Sequence, residues 1–333
     1  MAQAYNAVIA TITVASDASQ VVKAMVKSTQ WREGTSGTWL STNCTLTAGN
    51  TYQFRTPLSG MSSDSTAILP NIKASVTVDW DTTATPISTL GNYFMYYYAC
   101  NCTSLTSLGV PDTSGITSVG DSFMRAYAYN CSSLTSLSVP DTSGITSVGD
   151  SFMRAYAYGC SKLTSLSVPD TSGLTSVGNF FMYYYAYGCT NLTSLSVPDT
   201  SGLTSVGNSF MSAYAGNCSG LTSLSVPDTS GLASVGNGFM AYYAGNCSGL
   251  TSLILPDSTG RFGSYNVNWS VPSGRLGYLY GYTPDSTSQT AWRALTVTGK
   301  TLYTNYIRAE DHVLLSTTPV IGAKYPLPPF RRS

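Results

Sequence analysis

The chain has 333 residues, with 16 lysines and arginines balanced by 16 aspartates and glutamates, so its formal net charge is zero. Charged residues are only 10% of the chain and hydrophobic residues 43%, where soluble domains carry roughly 25% charge. This balance excludes an electrostatic case for nucleic acid or an anionic membrane surface, and it excludes a disordered, self-repelling chain. No stretch approaches the ~18 to 20 apolar residues that span a bilayer, so membrane insertion is not expected. The start, Met1-Ala-Gln-Ala-Tyr5, lacks the basic and apolar regions of a secretory signal, and Pro326–Ser333 carries no sorting or anchoring motif. The expected location is an extracellular surface or a virion. It would be reached either with a leader lying outside this sequence or by a route other than general secretion.

Residues 1–81 contain no repeat. Val8-Ile-Ala-Thr-Ile-Thr-Val14 and Ala74-Ser-Val-Thr-Val-Asp-Trp80 alternate apolar and polar side chains, the period of a half-buried strand. Gln30-Trp31-Arg, Gly37-Thr-Trp39-Leu-Ser and Thr47-Ala-Gly-Asn-Thr-Tyr-Gln-Phe54 read as further strands punctuated by Gly and Asn. The segment beginning at Asp17 has two readings, a strand as first choice and a short capped helix as second. The series of these aromatic strands resembles the small immunoglobulin-like or PEGA-like sandwich modules of surface proteins.

Thr82–Pro86 reads as a linker into an array. From there one 29-residue unit recurs, with leucine at 105, 134, 163, 192, 221 and 250, cysteine at 102, 131, 160, 189, 218 and 247, and phenylalanine at 94, 123, 152, 181, 210 and 239. Self-similarity this strict predicts stacked coils, each burying its apolar face against its neighbours. Leu-Thr-Ser-Leu-Ser-Val makes a first short strand with the leucines and valine inward. Pro-Asp-Thr-Ser-Gly turns the chain, and Leu/Ile-Thr-Ser-Val makes a second strand. The Tyr/Ala segment after Phe-Met has room for a turn or two of helix.

Leu163-Thr-Ser-Leu166-Ser-Val-Pro169, Leu174-Thr-Ser-Val177-Gly178, Phe181 and Gly188-Cys189 fill the slots of one coil. With these residues the array resembles the BspA-like, or Treponema-type, leucine-rich repeats of microbial surface proteins, over residues 87–257. The unit is several residues longer than usual for that family. The fold expected is therefore mainly β: a leucine-rich-repeat solenoid over 82–257, flanked by a β-rich N-terminal module over 1–81 and by a C-terminal cap and extended tail over 258–333. In that last part Val271-Pro-Ser-Gly is similar to the closures that follow such arrays, and a cap is required because the last coil would otherwise expose its apolar end.

Three rows in the unit carry candidate chemistry. The cysteine row reads as buried small thiols, with a local disulfide among Cys44, Cys100 and Cys102 as the alternative. Asp112, Asp141, Asp170, Asp199 and Asp228 form a second row, which either caps turns or holds calcium between coils. No other metal set is visible and no cofactor is expected. The two positions after each Met differ between otherwise near-identical copies, and core positions in such an array should not. They hold Tyr96 and Tyr97, Arg125, Arg154, Tyr183 and Tyr184, Ser212, and Tyr242. Tyrosine beside small polar partners is the composition of recognition surfaces. These residues are expected to face outward, as a binding surface or as a packing contact.

Two motifs carry no function. Ala294–Thr301 fits a loose phosphate-loop pattern without the glycine-rich loop or the following helix, and His312 has no nucleophile constellation beside it. By resemblance the chain is expected to be a non-enzymatic surface protein that attaches to a protein or glycan on a cell surface. The alternative is a structural subunit, such as a virion decoration or fibre protein or a surface layer, that contacts neighbouring subunits.

Overall fold

The computed structural model describes residues 7–81, 87–229 and 231–250, together with the backbone of the strands Ser252–Ile254 and Tyr278–Tyr280. The expected linker at 82–86, most of the C-terminal cap and tail, the loose phosphate-loop pattern at 294–301 and His312 lie outside the described residues.

The N-terminal part is built from β1 (Ala7–Val14), β2 (Val21–Lys23), β3 (Gln30–Glu33), β4 (Cys44–Leu46), β5 (Thr51–Pro57) and β6 (Ala74–Asp81). Alternation drives them. Val8, Ala10, Ile12 and Val14 are buried on β1, and Ala74, Val76 and Val78 on β6, while the residues between them are mostly more exposed. β1 lies at the centre, antiparallel to β5 and β6, with Ala10 opposite Phe54 and Val78. The segment after Asp17 forms β2, a strand as first expected, paired with β4. Gly37–Ser41 is not a strand, and Leu40 makes only a single bridge to Trp31.

β6 also starts the array. Its second edge pairs in parallel with β8 (Ser107–Leu108), Ser75 facing Ser107 and Val76 facing Leu108. One hydrogen-bonded layer therefore runs in the order β3-β5-β1-β6-β8 and on to Ser136–Leu137. A single apolar core extends from Val8 to Leu250.

The array is a β-solenoid of about five turns. Most coils contribute one two-residue strand to each of two ladders, while the described coil at Leu221–Leu224 forms no first strand. Ser107, Ser136 and their equivalents align in register on one side, and β7 (Thr89–Leu90), Ser118–Val119 and Ser147–Val148 on another. The leucines of the first strand are buried, save Leu137, and so are the prolines that end it, but the valines between them are only half-buried, not turned fully inward as expected.

The Tyr/Ala segment holds no helix, contrary to the sequence expectation. Its alternate residues stand at positive φ, as at Ser151 (60°), Met153 (46°) and Ala155 (55°). An α-helix needs every residue at negative φ. The alternation instead turns N–H groups along the solenoid axis: Ala155 donates to Tyr183 O, Ala157 to Tyr185 O and Gly159 to Tyr187 O, each at 2.8 Å. Others bond three positions back, as Arg154 does to Ser151 O and Tyr158 to Ala155 O. Left-handed backbone costs roughly 1–2 kcal/mol per non-glycine residue. Hydrogen bonds between coils, unavailable to a lone helix, offset that cost.

Side chains lock the stack. Phe94, Phe123, Phe152, Phe181, Phe210 and Phe239 form a column with ring centroids 5.4 to 5.5 Å apart. A second column runs through Tyr98, Tyr127, Tyr156, Tyr185, Tyr214 and Tyr243, all fully buried. All but Tyr98 reach across the coil to a backbone carbonyl 18 residues earlier, Tyr156 to Ser138 O at 2.5 Å and Tyr214 to Ser196 O at 2.8 Å. Asn92, Asp121, Asp150, Asn179 and Asn208 each accept the N–H of the equivalent residue in the next coil.

Candidate functional site

All eight cysteines are free and buried. From Cys131 on, each thiol of the row donates to the carbonyl of an alanine 32 residues earlier, at 2.8 to 3.1 Å. The aspartates of the turn accept the N–H two residues on, Ser114 to Asp112, Ser143 to Asp141, Ser172 to Asp170 and Ser201 to Asp199, at 2.9 to 3.0 Å. These bonds hold the carboxyls of Asp112, Asp141 and Asp199 below their ordinary range. Asp228 occupies the same slot. Among the described residues no three His, Cys, Asp or Glu side chains gather where a metal ion could sit.

The two variable positions after each Met do come together, on the outer side of the Tyr/Ala ribbon, but not as expected of simple outward-facing residues. At the first position Tyr96 and Ser212 are buried, and Arg125, Arg154 and Tyr183 are half-buried. Ser212 Oγ donates to Ala241 O at 2.9 Å. Only Tyr242 is strongly exposed, at 48%.

The second position sets the relief. Tyr97, Tyr184 and Tyr242 are ridges, while Ala126, Ala155 and Ala213 leave hollows between them. Two depressions result, one on each side of the Tyr184 and Tyr187 ridge. The first, of about 250 Å³, has Arg125 and Arg154 beside Ala126 and Ala155, with Tyr97 at one end and Tyr184 at the other. The second, of about 650 Å³, is uncharged and lies over Ser212, Ala213 and Gly216, with Tyr242 on its far side. Of the residues anticipated from sequence, only Tyr96 lines neither. Its ring lies beneath Lys27 and Arg125, at 5.7 and 5.3 Å from the two charges.

Arg154 lies over Phe180 and Tyr183 at 4.7 and 4.9 Å. Burial, and then the neighbouring charge of Arg125, lower its pKa. Burial likewise raises the Tyr96, Tyr129, Tyr158 and Tyr183 hydroxyls, so these stay protonated donors.

Sequence reasoning missed the row five residues after each Met: Cys100, Tyr129, Tyr158, Tyr187, Gly216 and Gly245. Tyr129, Tyr158 and Tyr187 stack at 4.6 and 4.9 Å and wall the first depression. Gly216 and Gly245 open the second. Tyr187 is held over Gly216 by Asn217, whose Nδ2 donates to the hydroxyl at 2.5 Å. The signal was present, since this row varies between copies just as the two anticipated positions do.

A parallel stack of coils with one leucine pair, one Ser-Val strand and one buried cysteine per turn defines a leucine-rich-repeat solenoid. The model of the BspA type leucine rich repeat region matches residues 89–270 in six copies, and the chain belongs to that family. No curated protein and no solved structure matches the chain. No helix among the described residues is long and apolar enough to cross a membrane.

Proposed function

We propose that this is a non-enzymatic recognition protein of an extracellular or virion surface, which binds a protein or glycan on a cell through the Tyr-lined side of its solenoid. One observation carries the reading. The side chains that differ between otherwise repeated coils gather around two adjoining depressions, while the invariant ones form the columns of the core. Tyrosine rings supply broad contact area with a polar end, at little cost in side-chain entropy. The depressions rest on a rigid ladder, so their shape is formed before a partner arrives. Membership of a family of microbial surface repeats agrees with this role.

The test is replacement of Tyr97, Tyr184 and Tyr242 together by alanine, with cell binding measured by flow cytometry. Binding should fall at least tenfold, taking the loss of a few aromatic anchors at roughly 1.4 kcal/mol or more, while circular dichroism and melting stay unchanged. Undiminished binding by the folded variant rejects the reading.

A further inference from the structure

Resting on that reading, we infer that the depression between Tyr97 and Tyr184 is an anion subsite for an acidic saccharide, its arginines taking a carboxylate or sulfate carried on a sugar ring. Arg125 and Arg154 occupy the same slot of adjacent coils, so their backbones are one ladder step apart, about 4.8 Å. Neither has an acidic partner, since the ion pairs among the described residues are Arg55 with Asp81 and Lys73 with Asp17. The two guanidiniums lean apart. Arg125 lies on Tyr96 of the preceding coil and Arg154 on Phe180 and Tyr183 of the following one. Stacking leaves the edge N–H groups of each guanidinium free for a planar or tetrahedral anion. An anion seated between them would remove the repulsion that the empty pair bears.

The same two coils supply the space. Where the flanking coils carry Tyr-Tyr after Met, these carry Arg-Ala, so the charge and the hollow arise from one substitution made twice. A volume of about 250 Å³ suits one ring-sized group. The surroundings favour a sugar over an acidic peptide. An extended peptide gains affinity by pairing with a free strand edge, but the ribbon here has none. Ala126 N–H is bonded to Arg154 O and Ala155 N–H to Tyr183 O, both at 2.8 Å. Aromatic faces with hydroxyl edges line the hollow instead, and they match the apolar faces and hydroxyl rims of a saccharide.

The experiment uses the full chain and isothermal titration with four probes: a uronate-terminated oligosaccharide, a sulfated one, their neutral parent and an Asp/Glu-rich peptide. The wild type should bind one or both acidic saccharides at least about tenfold more tightly than the neutral parent, with affinity falling as salt rises. The ratio between the uronate and sulfate arms identifies the anion. Arg125→Gln/Arg154→Gln should lose that preference. Arg125→Lys/Arg154→Lys, which keeps the charge and guards against a folding artefact, should keep part of it. Lys162→Gln, which removes an exposed cation away from the depression, should match wild type. Equal binding of acidic and neutral sugars, no binding of either, preference for the peptide, or an unaffected double glutamine variant would each overturn the inference. Those results leave the recognition reading standing if the Tyr97, Tyr184 and Tyr242 variant still loses cell binding, and only retained cell binding by that variant rejects both.

Discussion

The Lys27 ammonium donates to the Tyr96 carbonyl at 3.0 Å, across 69 positions of sequence, and this contact closes one end of the solenoid. In the Tyr/Ala ribbon most inter-coil N–H groups point to the next coil and their acceptor carbonyls to the preceding one. The first coil has no predecessor, so its carbonyls need partners from elsewhere. Lys27 supplies one, and the N–H groups of Ile68 and Leu69 satisfy Tyr98 O at 3.0 and 3.1 Å. The N-terminal part thus does for the ribbon what a cap does for a helix end.

Lys27→Met keeps the length of the side chain and removes the charge. It should destabilise the protein by about 1–3 kcal/mol, the cost of leaving a shielded carbonyl without its charged donor. Urea unfolding followed by circular dichroism measures this. A variant as stable as wild type would show that the contact contributes nothing to the cap.

Close approach of the coils makes a sharper demand at Gly207. A Cβ there would stand 2.6 Å from the carbonyl carbon of Gly178 and 2.7 Å from Asn179 N, both backbone atoms of the previous coil. Gly207→Ala should therefore cost about 3 kcal/mol by forcing the ladder apart. Ser122→Gly should do the reverse. Ser122 stands at a φ of 59°, and Gly238 fills the same slot in a later coil. The gain expected is about 1 kcal/mol. Thermal melting of both variants reads the two signs, and a neutral Gly207→Ala would contradict the packing described.

How much of this was legible beforehand follows from which positions repeat. Leu163, Phe181 and Cys189 recur every 29 residues and declare themselves as core. The ribbon did not, because Tyr-Tyr-Tyr-Ala and Arg-Ala-Tyr-Ala are acceptable helix sequences locally, and only the neighbouring coil makes alternate left-handed residues worthwhile. Variation picked out Arg125, Arg154, Tyr184 and Tyr242, yet it could not say that Tyr96 and Ser212 lie flat and covered. That depends on contacts distant in sequence, Ser212 Oγ with Ala241 O and the Tyr96 ring with Lys27 and Arg125. The hollows at Ala126 and Ala155 escaped notice because small residues draw attention only when seen between tyrosines in three dimensions. The buried Thr113, Thr142, Thr171 and Thr200, each donating to the following coil's Asp carbonyl, were likewise hidden inside an ordinary turn sequence.

The tyrosine column offers an internal contrast. Tyr156 gives its hydroxyl to Ser138 O, whereas the buried hydroxyl of Tyr98 has no partner among the described residues, where β6 takes the place of the strand that the later coils set opposite. Tyr156→Phe should lose about 1 kcal/mol, and Tyr98→Phe should gain a similar amount by removing an unsatisfied buried group. Equal destabilisation by both would mean that ring packing alone matters and that the hydroxyl at 156 is incidental.

Alkaline pH should unfold this protein early and cooperatively. Burial pushes the Cys100 thiol up to about 11 from an ordinary 9.0, and those of Cys44, Cys102, Cys189 and Cys247 to about 12. The buried tyrosines from Tyr127 to Tyr243 are raised well above their ordinary 10.0 by the same desolvation. Above pH 9 the unfolded chain loses thiol protons that the folded chain retains. Stability is therefore complete below pH 9 and falls as pH rises toward the folded values. Each such group contributes about 1.4 kcal/mol of loss one unit above its unfolded pKa. Even half of the eight thiols would remove about 6 kcal/mol by pH 10, comparable with the whole stability of a small domain. Burial of Lys23 and Lys27 acts in the opposite sense, lowering their pKa values so that stability rises with pH, but it involves two groups against many. Under reducing conditions, far-ultraviolet circular dichroism and tyrosinate absorbance should change together in one steep step between about pH 9 and 11. Tyrosinate appearing gradually, with the circular dichroism unchanged through pH 11, would show that the thiol and tyrosine columns are not sealed from water as this packing requires.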